Sequence, residues 1–458
     1  MFLDEAAFGP YGMAEKKARK AFELYEEGKI LHALMELDGA LQINPANAAW
    51  HFNKALTLDC LGRFEDAIVA YEMALELSPG DLEILNSLGV DYTRTGQYDL
   101  AIETFECIEQ IDPHFESCYC NRIITYAEMN KHDAAEQMFY MAQQINPDCP
   151  LCFYNIGNSL FIRGQYKRAV YCWQKTAELE PTHPEIDYRI AQAYWAADEL
   201  DQARLHFLKE LRTNPGNTEV IFDYGLFLLE VGDCDCAREK FNRLLELDPD
   251  SAVAVFYLGE IALANDDFDK AASLYKRALH ADNSMPGPRY RLAQCAMIKG
   301  KKKKAHSLLT AEMQLEINDA DVLVSIGSML LAAEDFNSAV TCLLKAVTLG
   351  SADGNAYYYL GLANALKGHL AEAARFFAHT LDIRPEHVLA LKDSAVVCLA
   401  MGRVDDAERK IKKAITLARD VDGCERGLAR LRLIGRRIAV AKAVRRVSNF
   451  VSFTKSGC

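Results

Sequence analysis

The amino-acid sequence predicts an all-α fold, a solenoid of about twelve helical hairpins, and three regularities in its 458 residues lead to this prediction. An alanine recurs every 34 residues, twelve times in succession, and a proline follows the same period in eight of the twelve repeats. A large apolar residue stands four positions after every one of these alanines. A period of this length is typical of proteins in which each repeat is one supersecondary unit. The recurring alanines are Ala33, Ala67, Ala101, Ala135, Ala169, Ala203, Ala237, Ala271, Ala305, Ala339, Ala373 and Ala407.

Within one period, the residue types predict two helices joined by a tight turn. A small residue stands twelve positions before the alanine in eleven repeats, as Gly157 does before Ala169, and lets two helix axes approach closely. A glycine stands five positions before the alanine in eight repeats, as Gly164 does, and suits a turn that needs positive φ. The proline cannot continue a helix, so it separates one hairpin from the next. Because such a hairpin cannot bury its apolar face alone, neighbouring hairpins must stack into a solenoid.

These columns resemble the tetratricopeptide repeat family, whose pattern has a small residue at position 8, Ala at 20, an aromatic at 24 and Pro at 32. The resemblance covers about nine-tenths of the chain and implies a right-handed superhelical solenoid. It departs from the pattern in repeat four, at Ile123 and Asn130, and in repeats eight to ten and twelve, which lack the last proline. The predicted organisation is a leader at 1–13, repeats over 14–421, and a basic C-terminal helix and tail at 422–458. The repeats are 14–47, 48–81, 82–115, 116–149, 150–183, 184–217, 218–251, 252–285, 286–319, 320–353, 354–387 and 388–421.

The resemblance implies that the first helix of each repeat lines a concave, ligand-binding groove. In repeats five to nine, position 5 of the first helix is aromatic, and amide or guanidinium groups stand beside it on the same helix face. Aromatic rings supply contact area, and the polar groups can hydrogen-bond an extended peptide. The predicted binding residues are Tyr154, Asn155, Asn158, Tyr188, Arg189, Gln192, Phe222, Phe256, Tyr290, Arg291 and Gln294. The alternative is that these side chains pack neighbouring repeats against each other.

Charge narrows the class of partner. The chain carries a formal net charge of −14, and the groove positions implied by the resemblance hold twelve acids and five bases. This balance favours a neutral or basic protein or peptide client and argues against nucleic acid. The predicted function is a non-catalytic scaffold for protein–protein interaction, with peptide binding or chaperone activity as its expected use.

The C-terminal segment has the opposite charge. Residues 424–458 carry nine Lys or Arg and one acid, and their apolar residues have roughly helical spacing. One interpretation is a helix that caps the open hydrophobic end of the array. The other is a docking helix for a membrane surface or another protein. The second interpretation gives the alternative function, a regulatory or secretion-chaperone subunit that brings a client to an enzyme, an export machine or a membrane.

The cysteines and the missing catalytic motifs limit the chemistry. Fourteen cysteines are scattered without the spacing of a disulfide scaffold, which predicts a reducing, cytoplasmic location. Cys118, Cys120, Cys149 and Cys152 have metal-ligand spacings, but cysteine also serves as a small buried hydrophobe, and the sequence favours that use over a zinc site. Phosphate-binding, dinucleotide-binding and hydrolase motifs are absent, so we expect neither an enzyme nor a bound cofactor. Neither a secretory signal nor a transmembrane helix is expected.

Overall fold

The structure, a computed structural model, describes residues 10–350, 354–419 and 429–442, and within these residues it contains helices and no strand. The predicted all-α fold is therefore confirmed. Residues 429–442 are also helical, whereas 422–428 and 443–458 of the predicted tail lie outside the described residues. Among the residues described, no helix combines the length and the apolar character that crossing a bilayer requires. The other helices, in chain order, are α1 (Pro10–Glu26), α2 (Ile30–Ile43), α3 (Ala48–Cys60), α4 (Phe64–Leu77), α5 (Leu82–Arg94), α6 (Tyr98–Ile111), α7 (Glu116–Glu128), α8 (His132–Ile145), α9 (Pro150–Ile162), α10 (Tyr166–Leu179), α11 (Ile186–Ala196), α12 (Leu200–Thr213), α13 (Thr218–Glu230), α14 (Cys234–Leu247), α15 (Ala252–Ala264), α16 (Phe268–Ala281), α17 (Pro288–Ile298), α18 (Lys302–Glu312), α19 (Ala320–Ala332), α20 (Phe336–Thr348), α21 (Asn355–Leu366), α22 (Leu370–Ile383), α23 (Val388–Ala400) and α24 (Val404–Arg419).

The helices form two compact units, Met1–Val231 and Gly232–Cys458. In the first unit, α9 packs on α10 within one repeat, and α10 then packs on α11 of the next repeat. In the second unit, α15 packs on α16, and α16 packs on α17. Each unit is therefore built from helical hairpins that stack on their neighbours. The first helix, α1, begins inside the predicted leader, because it starts at Pro10.

The small residue at position 8 makes the two helices of a hairpin approach closely. A Cβ atom added to Gly157 would lie 2.5 Å from Nε1 of Trp173, and one added to Gly259 would lie 2.6 Å from Cε1 of Tyr275. Trp173 and Tyr275 occupy position 24 of the same repeats and are at most 1% exposed. The large ring at position 24 thus fills the space that the missing side chain at position 8 leaves.

The turn between the two helices contains a residue of positive φ in every repeat. In the first helix of repeat two, the amide of Gly62 donates to the Asp59 carbonyl and the amide of Arg63 donates to the Leu58 carbonyl. This pair of bonds ends the helix with a residue of positive φ. Eight of the residues with positive φ at this position are glycines, as predicted, and four carry side chains. They are Gly28, Gly62, Gly96, Asn130, Gly164, Asp198, Gly232, Asp266, Gly300, Glu334, Gly368 and Gly402.

The helix at 429–442 packs on the last hairpin of the second unit. Leu431 and Ile438 are 4% and 1% exposed, and they belong to one apolar cluster with residues of α23 and α24 such as Ile411. Lys442 forms ion pairs with Asp405, at 3.1 Å, and with Glu408. Lys412 and Lys442 together lower the pKa of the Glu408 carboxyl to about 2. The apolar face of this helix is thus buried against repeat twelve.

Candidate functional site

The first helices of successive repeats lie beside one another within each unit. In the first unit α5 contacts α7 and α7 contacts α9, and in the second unit α17, α19, α21 and α23 contact one another in sequence. The predicted binding residues all lie on such first helices. Those of repeats five to seven are in the first unit, and those of repeats eight and nine are in the second.

Tyr188, at position 5 of repeat six, lies in the interior of the first unit. It is 1% exposed, and its ring centroid lies 6.3 Å from that of Phe207. Its hydroxyl donates to Oδ2 of Asp223 at 2.7 Å and to Oε1 of Glu219 at 3.2 Å. Burial and the nearby Asp223 raise the pKa of this hydroxyl above its ordinary value. The ring therefore packs α11 against its neighbours, which is the second of the two interpretations given to the aromatic column.

The bond from Tyr188 to Asp223 belongs to a recurring pattern, which we call the inter-repeat ladder. Each of its bonds joins position 5 of one repeat to position 6 of the next, 35 residues along the chain. The donors and acceptors of these bonds differ from repeat to repeat, and one of them is a backbone carbonyl. The pairing of position 5 with position 6 therefore recurs although the residue types change. The other bonds of the ladder run from Asn121 Nδ2 to Asn86 Oδ1 at 2.9 Å, from Asn155 Nδ2 to the Cys120 carbonyl at 3.3 Å, and from the Tyr358 hydroxyl to Asp393 Oδ2 at 3.0 Å.

The polar groups beside Tyr188 also bond within the scaffold. Gln192 Nε2 donates to Oδ2 of Asp223 at 3.1 Å, and Arg189 Nη1 donates to Oε1 of Gln192 at 3.4 Å. The carboxylate of Asp223 therefore accepts bonds from two residues of the preceding repeat. Arg189 and Gln192, predicted to fix the register of a peptide, are already engaged with α13 or with each other.

In the second unit, the predicted binding residues of repeats eight and nine also bond or pack within the scaffold. Arg291 Nη2 lies 2.5 Å from Oε2 of Glu260, and its Nη1 donates to the Tyr290 hydroxyl at 2.8 Å. The same Nη1 donates to Oε1 of Gln294 at 3.1 Å. Tyr290 is 8% exposed and packs in an apolar cluster. Phe256 is half-buried, with its ring centroid 5.7 Å from that of Tyr275. The predicted residues of this unit thus also hold repeats together.

The first helix of repeat five has an open face, which we call the α9 stripe and define as Leu151, Tyr154, Asn158 and Ile162. These residues have helical spacing and lie on one side of α9. Leu151 and Ile162 are 48% and 64% exposed, whereas Tyr154 and Asn158 are half-buried. Within the described residues the side-chain amide of Asn158 makes no hydrogen bond. Leu151 and Ile162 were missed by the search for aromatic and polar residues, although both occupy groove positions that the resemblance implies.

Exposed carboxylates lie on α13 in the same unit. Glu219 and Glu230 are both exposed. Glu219 accepts a bond from the Tyr188 hydroxyl, and Glu230 Oε2 accepts one from Trp195 Nε1 at 2.8 Å. Both carboxylates are therefore accessible to a partner, and each accepts a bond from an uncharged group of the preceding repeat.

The four cysteines considered as zinc ligands do not all come together. The thiol of Cys118 donates to the Phe105 carbonyl at 3.2 Å and lies outside the group that the other three form. Ligand atoms of Cys120, Cys149, Cys152 and Glu116 all lie within 4.8 Å of one another. Three of the four cysteines therefore lie together, whereas the Cys118 thiol is bonded to the preceding repeat. Cys120 and Cys152 form a disulfide, with their Cα atoms 5.2 Å apart, where the sequence suggested reduced cysteines.

Comparison with known families gives matches along most of the chain. The model described as Psidin, N-terminal TPR repeats region, matches residues 15–181, and the YpiA-like, C-terminal tetratricopeptide repeats match 184–251. Models described as tetratricopeptide repeat match 225–286 and 326–387, and a further one matches 262–312. No curated protein gives a significant sequence match.

Several solved structures are similar in fold. YrrB, described as a TPR protein with an unusual peptide-binding site, is 23% identical, with 39% of this chain and 93% of that chain covered at a TM-score of 0.37. Yeast Tom70 is 13% identical, with 94% and 96% covered at a TM-score of 0.39. The Cut9–Hcn1 hetero-tetramer of the APC/C is 15% identical, with 93% and 97% covered at a TM-score of 0.43. At these identities the similarity concerns the fold alone.

Proposed function

Because this chain belongs to the tetratricopeptide repeat family, we propose that it is a non-catalytic scaffold that binds an extended peptide or a client protein on its first helices. The observation that carries the proposal is the α9 stripe, where exposed apolar side chains flank an amide without a hydrogen bond in the described residues. On the next first helix, the side chains of Arg189 and Gln192 are bonded within the scaffold, whereas Leu151 and Ile162 of the stripe are exposed.

The α9 stripe has the chemistry that an extended segment needs. Leu151 and Ile162 offer apolar area at the two ends of the helix. The amide of Asn158 has a donor and an acceptor, and both can bond the main chain of a bound peptide. Contacts to main-chain groups give affinity, while the apolar positions select side chains at the two ends of the bound segment.

The charge of the first unit favours a neutral or basic client. Glu219 and Glu230 are exposed on α13. The groove positions that the family resemblance implies also carry more acids than bases across the repeats. Complementary charge speeds association and excludes partners of the wrong sign. We therefore expect binding to strengthen as peptides become more basic and to weaken with added salt.

A binding experiment with substitutions on the α9 stripe tests the proposal. The full-length protein is screened against short peptides that vary in net charge, and the best ligand is titrated by fluorescence anisotropy. Asn158→Ala and Ile162→Ser should each weaken binding about tenfold, which corresponds to roughly 1.4 kcal/mol. Both substitutions are at positions that are not fully buried, so the helical circular dichroism signal should not change.

Leu205→Ser is the matched control, because Leu205 is 54% exposed on α12, the second helix of its hairpin. It should bind the peptide as the wild type does. Equal affinities for the wild type, Asn158→Ala and Ile162→Ser would refute the proposed surface, and so would an equal loss in the Leu205→Ser control.

One observation favours the alternative function, a regulatory or secretion-chaperone subunit that docks through its basic end. On the helix at 429–442, Arg430, Arg432, Arg436 and Arg437 are exposed and form no ion pair within the described residues. Leu433 and Val440 on the same helix are 53% and 63% exposed. A helix of this composition can bind an anionic surface. Replacing the four arginines by glutamine should abolish binding to anionic lipid vesicles if the docking target is a membrane, and sedimentation with neutral vesicles is the control.

A further inference from the structure

We propose that Glu116, Cys120, Cys149 and Cys152 form a zinc site that joins repeats four and five when the three cysteines are reduced. The site is distinct from the α9 stripe, and its existence does not depend on peptide binding.

The spacing of the Cys120 and Cys149 sulfurs suits a tetrahedral ion, and the sulfurs of Cys120 and Cys152 reach such a spacing only after their disulfide is reduced. Zinc bound by thiolates at about 2.3 Å in a tetrahedron places its sulfur ligands about 3.8 Å apart. Sγ of Cys120 lies 3.8 Å from Sγ of Cys149, and the four ligand atoms are all within 4.8 Å of one another. Three thiolates and one carboxylate complete the four ligands of a closed, structural zinc site. Thiolates also favour zinc over magnesium or calcium.

The backbone holds the ligands in pairs on two neighbouring helices. Glu116 and Cys120 are four residues apart in the first turns of α7 and so lie on one face. Cys149 caps the N-terminus of α9, and its sulfur accepts a bond from the amide of Cys152 at 3.4 Å. Two turns of α7 and the start of α9 therefore supply the site without a loop.

Bonds around the ligands fix their orientation. Asn146 Nδ2 donates to Oε2 of Glu116 at 2.9 Å, which leaves the other carboxylate oxygen for the metal. Asn155 Nδ2 donates to the carbonyl of Cys120, which ties α9 to α7 beside the site. The three cysteines are at most 6% exposed, so water has little access to the sulfurs. Such outer contacts orient the ligands in known metal sites.

The disulfide and the zinc site use the same sulfurs and exclude each other. Reduction of the Cys120–Cys152 bond takes two electrons and two protons and gives two thiols. Zinc then displaces the protons of these two thiols and of Cys149 as it binds. The disulfide links α7 to α9 in the absence of metal, and the zinc ion makes the same connection through four ligands in the presence of a reductant.

Zinc titration of the reduced full-length protein tests the site. The chain is reduced with a phosphine, freed of metal, and titrated with zinc chloride against a chromophoric chelator, and bound metal is counted by mass spectrometry. We expect one zinc ion per chain. Cobalt in its place should give the charge-transfer and visible bands of a tetrahedral thiolate complex.

Substitutions separate the ligands from other cysteines. Cys149→Ala should weaken zinc binding more than about 100-fold, because outer contacts alone are worth about 10–100-fold. Glu116→Gln changes a half-buried side chain and provides a second variant if Cys149→Ala fails to fold. Cys118→Ala is the matched control, since Cys118 is a buried thiol on the same helix that lies outside the group.

The proposal predicts that zinc raises the melting temperature of the reduced wild type and of Cys118→Ala but not that of Cys149→Ala. It is overturned if the reduced wild type takes up no zinc, or if Cys149→Ala and Glu116→Gln both bind zinc as tightly as the wild type does. Loss of zinc binding in Cys118→Ala to the same extent as in Cys149→Ala would also overturn it.

Discussion

Asp91 is a carboxyl group buried between repeats two and three of the first unit. It is 0% exposed, and the guanidinium of Arg94 lies 3.1 Å from its Oδ1. Burial and the neighbouring carboxyl of Asp59 raise the pKa of Asp91 to about 8, against a smaller opposing effect of Arg94. Asp59 in turn accepts a bond from the Tyr71 hydroxyl at 2.8 Å. A carboxyl group that is buried beside another carboxyl favours its neutral form, because burial and the nearby negative charge both disfavour ionisation.

This raised pKa has a consequence for stability. Between the ordinary pKa near 3.8 and the folded-state pKa of about 8, the folded protein holds a proton that the unfolded chain has lost. The free energy of unfolding of the first unit should therefore fall as the pH rises through this window and level off above it. Asp91→Asn keeps a neutral side chain at every pH, so it should flatten the dependence. Thermal melting at a series of pH values measures it.

Asp99→Asn provides the comparison, because Asp99 is an exposed carboxylate on the next helix. It should melt with the same pH profile as the wild type. An Asp91→Asn variant whose melting temperature still falls with pH as steeply as in the wild type would contradict the assignment.

At the residue scale, the sequence predicted which residues form the turns better than it predicted which side chains bond to each other. The turn glycines were expected, and their positive φ confirms them. Glu334 occupies the same turn position and also has positive φ, which could not be predicted because glutamate rarely adopts this conformation. Tyr188 and Asp223 could not be paired from one sequence, because the bond between them depends on the rotation between repeats. Glu116 could have been added to the candidate metal ligands from the sequence, since it stands one helical turn before Cys120.

At the scale of the helix pair, position 8 decides how closely the two helices pack. A methyl group at Gly157 would meet the indole of Trp173, which is 1% exposed and has no space to move into. Overpacking of this kind costs about 1–3 kcal/mol. Alanine gains about 1 kcal/mol over glycine in a helix, so we expect Gly157→Ala to be net destabilising and to lower the melting temperature.

Gly39→Ala is the matched control for this clash. Gly39 also lies inside a helix, α2, but an added Cβ would meet only the flexible end of Lys17. That side chain can move aside, so alanine should keep or raise the melting temperature. A Gly157→Ala variant that is as stable as Gly39→Ala would show that the hairpin tolerates a wider gap.

The 34-residue period predicted the helical hairpin well, because the pairing of a small residue with a large one acts within a single hairpin. The partners at positions 8 and 24 are 16 residues apart, and their sizes are complementary in the sequence itself. The bonds of the inter-repeat ladder could not be predicted in this way, because they use different groups in different repeats: an amide, a carbonyl, a hydroxyl or a carboxylate. Tyr154 and Asn158 of the α9 stripe were predicted, whereas Leu151 and Ile162 were missed because the exposure of a groove position depends on the packing of neighbouring repeats.

At the scale of the whole molecule, charge is divided between the array and its end. The chain carries −14 overall, whereas residues 424–458 hold nine Lys or Arg and one acid. The described helix of this segment buries Leu431 and Ile438 and exposes its arginines. Covering repeat twelve and presenting a basic surface are therefore compatible tasks for opposite faces of one helix.

Ile438 tests the covering role of this helix. It is 1% exposed in the apolar cluster with α24. Ile438→Asp should destabilise this end by about 3 kcal/mol or more, since it removes apolar contacts and buries a charge. Hydrogen exchange of α24 is the suitable measurement, because a repeat array need not unfold in one step. Val440→Asp on the same helix, at a residue 63% exposed, should leave the exchange of α24 unchanged. Equal protection of α24 in both variants would contradict a covering role.

The inter-repeat ladder also bears on how such a chain changes length over generations. Its bonds join residues that are one period plus one position apart. Removing or duplicating a segment of one full period, 34 residues, returns every donor to an equivalent acceptor position. Loss of a single residue inside a first helix instead turns the later side chains by about 100° and leaves their partners facing the wrong way. A change in length by whole repeats therefore keeps the register of the ladder, whereas a change by single residues breaks it.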